Sequence, residues 1–222
     1  MKRASQGRIT LRTLTLVGCA AVTTTALAGR PLAVDDAGTN AKDEGHVEVW
    51  AARAGGATTL NVSPAYAFAD GLELSALLAR DQGNGVTGSA LQLKWLLTPS
   101  QDKGCNLGAS FGAARASGGG ASANAGFITG LLSCNATALG NLHLNLGSLK
   151  TSGQSAVGTW GVAIEREFGA VTPHIEWFGS EGSKPTRQIG VRGDIVKDIQ
   201  LDGTVGRSDG ATLYSLGLKF KF

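Results

Sequence analysis

The chain has 222 residues, a length that fits one domain, and 17% of them are charged while 33 are glycine. The low charge excludes a disordered chain, and the absence of a Gly-X-Y period excludes collagen. Four of the 20 basic residues lie in an N-terminal signal, which leaves 16 basic against 17 acidic residues in the mature chain. A nucleic-acid binder needs a basic surplus to displace counterions from phosphate, so that class is excluded as well.

Residues 1–28 have the pattern of a secretory signal peptide. Basic residues precede a largely apolar stretch, Leu14 to Val22, and Ala26-Leu27-Ala28 supplies the small residues of a cleavage site. We expect cleavage after Ala28 and export of the mature chain. One alternative is lipidation of Cys19, since Leu16-Val17-Gly18-Cys19 resembles a lipobox, and another is an uncleaved N-terminal anchor. The mature chain has no apolar run near the roughly 18 residues of a membrane helix.

The next segment, residues 29–45, is polar and contains Pro31 and several acidic residues. We interpret it as a periplasmic lead-in to the first strand. The alternative is that it folds back into the lumen as a partial plug.

From His46 to Phe222 polar and apolar residues alternate with period two, interrupted by turn-forming residues. Each segment has room for the about 9–11 residues that a strand needs to cross a membrane. The pattern predicts twelve strands: 46–54, 58–69, 72–80, 88–97, 104–114, 123–134, 139–149, 156–168, 171–179, 185–196, 199–207 and 212–222.

The two faces of these strands distinguish a membrane barrel from a soluble one. The apolar faces carry many Gly and Ala residues, which would fill the interior of a soluble barrel poorly, and the polar faces carry charges on strand after strand. An up-and-down antiparallel β-barrel with apolar residues outside and polar residues inside accounts for both faces. When the alternating residues are assigned to the two faces in this way, Trp50 lies on the lumen side. An even strand number puts both termini on the periplasmic side, with the longer loops 81–87, 115–122 and 180–184 opposite.

The last strand resembles the C-terminal targeting strand of bacterial outer-membrane proteins, because it ends in Phe222 and has apolar or aromatic residues at alternate positions: Tyr214, Leu216, Leu218, Phe220 and Phe222. The resemblance implies insertion into the lipid of a Gram-negative outer membrane by the barrel-assembly machinery.

The mature start, Arg30-Pro-Leu-Ala-Val-Asp-Asp-Ala-Gly38, resembles that of a group of proteobacterial outer-membrane barrels related to transporters of the phenol meta-pathway type. This resemblance implies passage of small aromatic compounds. It brings no catalytic motif and no cofactor.

Two cysteines remain in the mature chain, Cys105 and Cys134, on successive strands. They lie equally far from the hairpin tip near Gly119 and Gly120, which places them opposite each other in one ladder, within reach of a disulfide. The exported compartment is oxidising, so we expect a bridge near the periplasmic rim. Two reduced residues facing lipid are the alternative.

The inward faces carry charges of both signs. One interpretation is an ion-pair network that fills and stiffens the lumen. The other is a lined pathway that sets solute preference. A metal site is not predicted from so generic a grouping. The candidate lining residues are Lys94, His143, Glu165, His174, Glu176, Arg192, Asp202 and Lys219.

No motif favours an enzyme. Gly108-Ala-Ser110-Phe-Gly112 matches a nucleophile elbow but lies within an alternating strand, where the required sharp turn is absent. His143 and Ser148, the nearest candidates for a lipid hydrolase, fall on opposite faces. We therefore predict a monomeric outer-membrane barrel that forms a narrow pore or passive transporter for small solutes. The alternatives are a closed structural or surface-interaction barrel and, third, a membrane-embedded lipid hydrolase.

Overall fold

A computed structural model describes residues 32–222, so the predicted signal and the Cys19 alternative lie outside the described residues. Among residues 32–222 no helix is long and apolar enough to cross a membrane. Twelve strands follow one another: β1 (Gly45–Ala54), β2 (Ala57–Ala69), β3 (Leu72–Asp81), β4 (Thr87–Leu96), β5 (Gly104–Gly118), β6 (Ala121–Thr137), β7 (Gly140–Thr151), β8 (Val157–Glu165), β9 (Thr172–Ser180), β10 (Thr186–Val196), β11 (Ile199–Ser208) and β12 (Ala211–Lys221).

Each strand pairs antiparallel with its neighbours in the sequence, and β1 pairs with β12 to close the barrel. The predicted fold class and strand number are therefore confirmed. The closure includes reciprocal backbone hydrogen bonds between Gly45 and Phe222, of 2.8 and 2.9 Å. We call the end of the barrel that holds these two residues the terminal rim and the opposite end the distal rim.

The alternation of the sequence corresponds to an apolar outer wall and a largely polar interior. Large apolar side chains such as Leu78, Leu146 and Leu216 are exposed outside, whereas Glu48, Gln92 and similar residues are buried inside. Four of the five side chains of the predicted targeting strand are exposed on the outer wall, and Leu218 is half-buried. This inverted arrangement is the one expected of a barrel whose solvent is lipid.

The interior also contains an apolar cluster near the middle of β1. Trp50 is buried in the lumen, as the period-two phase placed it, and lies in a cluster with Leu77 of β3. Phe127 of β6 packs against the two. The lumen is therefore not uniformly polar.

Loop lengths differ from those expected from the sequence. The hairpin at 115–122 is not a long loop, because Gly119 and Gly120 adopt positive φ angles of 59° and 82° and make a two-residue turn. Strands β5 and β6 extend to that turn. The longest connection between strands, residues 97–103, lies at the terminal rim, so the expected separation of long and short loops between the rims is wrong.

Candidate functional site

All eight predicted lining residues point into the barrel. Six are buried, and the side chains of Arg192 and Lys219 remain 24% and 17% exposed near the terminal rim. Ion pairs join many of them, including Glu165 to Arg192 at 2.9 Å and Glu48 to Lys219 at 2.7 Å. Asp202 faces Arg192 across the β10–β11 ladder.

The centre of the lumen is occupied by residues 32–40, which we call the lumen segment. This is the placement of the fold-back alternative, whereas a lead-in outside the barrel would leave these residues in solvent. Leu32 and Val34 are buried against Ala163 of β8 and Phe178 of β9. Ala37 lies deeper toward the terminal rim and is fully buried.

Wall side chains hold the backbone of the lumen segment. Glu176 Oε2 accepts hydrogen bonds from the N–H groups of Ala33 (2.5 Å) and Val34 (2.8 Å). Asn145 accepts from the N–H of Asp35 through Oδ1 and donates to its carbonyl oxygen through Nδ2, both at 2.8 Å. These bonds satisfy backbone groups that water would otherwise have to reach.

Two further wall residues hold the end of the segment that lies nearer the terminal rim. The N–H of Ala37 donates to Ser133 Oγ, and the N–H of Asn40 donates to Glu73 Oε2, each at 2.8 Å. The Asn40 side chain also contacts His46 Nδ1 at 3.0 Å. The segment is therefore bound along its length to wall side chains on several strands.

An ion pair binds the segment to β4. Asp35 Oδ1 lies 2.6 Å from Lys94 Nζ, and both side chains are buried. Burial is the largest influence on the Asp35 carboxyl and raises its pKa to about 6, while the charge of Lys94 acts in the opposite direction. Lys94 therefore offsets part of the cost of keeping a carboxylate there.

Two wall glycines make room for the segment. A Cβ at Gly161 would lie 2.9 Å from Val34 Cγ2, and a Cβ at Gly108 would lie 3.1 Å from the carbonyl oxygen of Ala37. Any larger residue at either position would push against the segment. Glycine, which has no side chain, lets the wall approach the segment closely at both positions.

On the side of the segment that faces the terminal rim, a chain of polar groups joins four strands. Ser133 Oγ lies 2.8 Å from His143 Nδ1, His143 Nε2 lies 3.6 Å from Glu165 Oε1, and Glu165 pairs with Arg192. The order of serine, histidine and carboxylate is that of a hydrolytic triad. Here the Ser133 hydroxyl already accepts the Ala37 N–H, and the group lies inside the lumen, so we assign it to holding the segment.

A cavity of about 140 Å³ lies on the distal side of the lumen segment. Its wall is mainly apolar, and Val34 and Asp35 of the segment form part of it together with a few polar side chains. We call this cavity the chamber. Lining side chains include Leu77, Gln92, Ser110, Phe127, Asn145 and Phe178.

A second cavity, of about 490 Å³, opens at the terminal rim. Its lining is polar and includes three basic residues, Arg192, Lys219 and Lys221. We call it the polar mouth. The chamber and the polar mouth therefore lie toward opposite ends of the barrel, with the lumen segment between them.

On the outside of the barrel, Cys105 and Cys134 face each other in the β5–β6 register and form a disulfide near the terminal rim. This is the bridge that their equal distance from the hairpin tip predicted. Among residues 32–222, no group of three or more His, Cys, Asp and Glu side chains could hold a metal ion.

Sequence reasoning missed the contacts that organise this site. Asp35 and Ala37 belong to a stretch in which nothing distinguishes a buried residue from one in a loop. Ser133 and Asn145 fall on the inward faces by period, but the period does not select them from other polar residues there.

Comparison with known proteins places the chain among outer-membrane barrels by fold. A family model described as Uncharacterised conserved protein UCP029691 matches residues 16–213. A search of curated proteins found no match.

Two of the similar solved structures are a KdgM porin and a NanC porin. The chain is 15% identical to the KdgM porin with a TM-score of 0.60, and the match covers 80% of this chain and 99% of the porin. For the NanC porin the identity is 11%, the TM-score 0.60 and the coverage 79% and 100%. A KdgM porin in complex with disordered oligogalacturonate gives a TM-score of 0.63 at 15% identity, with 80% and 99% coverage. At these identities the likeness is one of fold.

Proposed function

Because this chain belongs to the family described as Uncharacterised conserved protein UCP029691 and has the fold of the KdgM and NanC porins, we propose that it is an outer-membrane channel for small solutes. The observation that carries the proposal is the pair of cavities along the lumen. The chamber and the polar mouth approach the lumen segment from opposite sides. A structural barrel of this width would be expected to fill that space with side chains.

The outer wall supports a place in the outer membrane of a Gram-negative bacterium. The exposed apolar side chains need lipid around them, and the signal at residues 1–28 supplies the export step. In this proposal cleavage follows Ala28, residues 29–45 precede the barrel, and the barrel-assembly machinery recognises β12. The terminal rim then faces the periplasm.

The chamber favours small aromatic or similarly apolar solutes. A buried apolar cavity of about 150 Å³ accepts benzene, and the chamber is of comparable size. Phe127 and Phe178 supply apolar surface, while Gln92 and Asn145 supply polar groups that could orient a hydroxyl. This solute class agrees with the resemblance of the mature start, Arg30 to Gly38, to phenol meta-pathway relatives.

An acidic oligosaccharide such as the oligogalacturonate bound by the KdgM porin fits this lumen less well. A polyanion needs unpaired cations along its path. Here Lys94 pairs with Asp35, Lys219 with Glu48 and Arg192 with Glu165. Carboxylates therefore offset the basic side chains, and little positive field remains to draw in an anion.

The test is current block in planar bilayers that contain the refolded mature chain. We expect catechol to interrupt the ionic current at concentrations at which xylitol has no effect, because the aromatic ring can occupy the chamber. Phe127→Ala should weaken the block by catechol and leave the single-channel conductance measurable. Equal block by catechol and xylitol would contradict the aromatic preference.

A closed structural barrel is the second candidate, and the lumen segment is the observation that favours it. Folded protein that stays silent with the segment present and also with it removed would establish this candidate. Heat-modifiability on gels gives the control for folding.

A further inference from the structure

We propose that the lumen segment, residues 32–40, is a gate that leaves the lumen as one unit, turning about residues 41 and 42. This inference rests on the proposed channel function and adds the element that opens and closes it. The barrel wall itself is a closed hydrogen-bonded ladder around all twelve strands. A change in the width of the lumen must therefore come from something that is not part of the ladder.

The first argument is the kind of bond that holds the segment. At the wall, the bonds described above end on the side chains of Glu73, Lys94, Ser133, Asn145 and Glu176. When the segment leaves, these side chains can exchange such bonds for bonds to water, because water offers donors and acceptors of its own. Release of the segment therefore breaks no rung of the β-ladder.

The second argument is a fixed boundary at Asp43, which residues 41 and 42 separate from the segment. The N–H of Asp43 donates to the carbonyl oxygen of Ala67 at 2.8 Å, and the N–H of Ala67 donates to that of Glu44 at 2.9 Å. These backbone bonds extend the β1–β2 ladder by two residues. Asp43 also has a positive φ of 66°, which marks a sharp change of chain direction. Residues 41 and 42 therefore lie between the part held by side chains and the part held by backbone bonds.

The third argument is the position of the segment relative to the solute. Val34 and Asp35 form part of the chamber lining, so a molecule that enters the chamber contacts the gate directly. The bonds that Ala33, Val34 and Asp35 make to the wall lie beside that contact. A solute that competes for Asn145, which also lines the chamber, would weaken the hold on the gate.

A reversible cross-link tests whether the segment moves. A Cβ at Gly161 would lie 2.9 and 3.4 Å from the two γ carbons of Val34, which brings a sulfur at position 34 within reach of one at position 161. The variant Val34→Cys/Gly161→Cys therefore locks the segment to β8 when oxidised and frees it when reduced. The single variants Val34→Cys and Gly161→Cys control for the substitutions, and reductant added to the wild type controls for the native Cys105–Cys134 bridge.

Single-channel recordings test whether the lumen segment opens and closes the channel. Four proteins are compared: the mature wild type, a chain lacking residues 32–40, and the double-cysteine variant oxidised and reduced. We expect the deletion to conduct severalfold more than the lowest wild-type level. The oxidised variant should stay at that lowest level, and reduction should restore transitions to the higher one.

Two results would overturn the gate. One is an oxidised, cross-linked protein that still shows the wild-type transitions; the other is a wild type that conducts as well as the deletion. A deletion variant that is folded but silent would remove the proposed channel function itself, and the gate with it. If the deletion does not fold, the oxidised and reduced recordings alone still distinguish a moving segment from a fixed one.

Discussion

Asp35 and Lys94 are 59 positions apart in the chain, yet their charged atoms lie 2.6 Å from each other inside the barrel. Asp35 belongs to the lumen segment and Lys94 to the wall, so the pair joins two parts of the molecule that no backbone ladder connects. Both groups are buried. Removal of either partner would leave the other charge in a place poor in water, which typically costs about 3–5 kcal/mol.

Lys94→Met should therefore loosen the lumen segment. A cysteine at position 34 reports on this, because Val34 is only 1% exposed and the two native mature cysteines are bonded to each other. In the Val34→Cys background we expect Lys94→Met to raise the rate of labelling by a membrane-impermeant maleimide at least about tenfold, equivalent to about 1.4 kcal/mol.

The double change Asp35→Asn/Lys94→Met, made in the same Val34→Cys background, tests whether the two charges act as a pair. It removes both charges, so its labelling rate should return toward that of the Val34→Cys background. Lys184→Met is the matched control, because Lys184 is highly exposed and pairs with Asp209 at the surface. Equal labelling rates in all these proteins would show that the pair does not hold the segment.

The twelve strands could be predicted because lipid imposes one rule on every residue of the outer wall. A polar side chain is costly there, so apolar residues recur at every second position, and the period can be read without knowledge of any contact. Leu216 and Phe220 of β12 illustrate this pattern. The lumen imposes no such rule, since water and polar partners both satisfy an inward side chain.

The lumen segment was accordingly open to two interpretations. Asp35 is followed by another aspartate in a polar stretch, and nothing in that stretch names Lys94 as its partner. Gly108 and Gly161 make room for the segment, but they are two of 33 glycines with no feature that sets them apart. Contacts of this kind depend on how a flexible stretch folds against distant strands, which periodicity does not encode.

The thiol content of the mature protein tests the outer disulfide. Denatured protein should show no free thiol before reduction and two after it, because Cys105 and Cys134 are bonded and cleavage after Ala28 would remove Cys19. A thiol assay in denaturant measures both values. Two free thiols without reductant would contradict the bridge. The intact mass of the same sample distinguishes a chain that begins at Gly29 from one lipidated at Cys19.

Ion preference tests the polar mouth. Arg192 lines it and pairs with Glu165 at 2.9 Å, so Arg192→Ala removes a positive charge from the mouth and leaves the carboxylate without that partner. We expect the reversal potential in a KCl gradient to shift toward cation preference, by at least about twofold in permeability ratio. Two charges about 4 Å apart interact by about 1 kcal/mol even in bulk water, which is ample for such a shift.

Arg187→Ala provides the matched control for this change. Arg187 lies on the same strand, but its side chain stacks over Trp177 at 5.6 Å, and Trp177 is exposed on the outer wall. Its removal deletes the same charge from β10 without changing the mouth, so ion preference should stay at the wild-type value. Because the two variants have the same net charge, a shift confined to Arg192→Ala would locate the selectivity in the lumen. A shift of equal size in both would instead assign it to the overall charge of the protein, and the polar mouth would not be the site that selects ions.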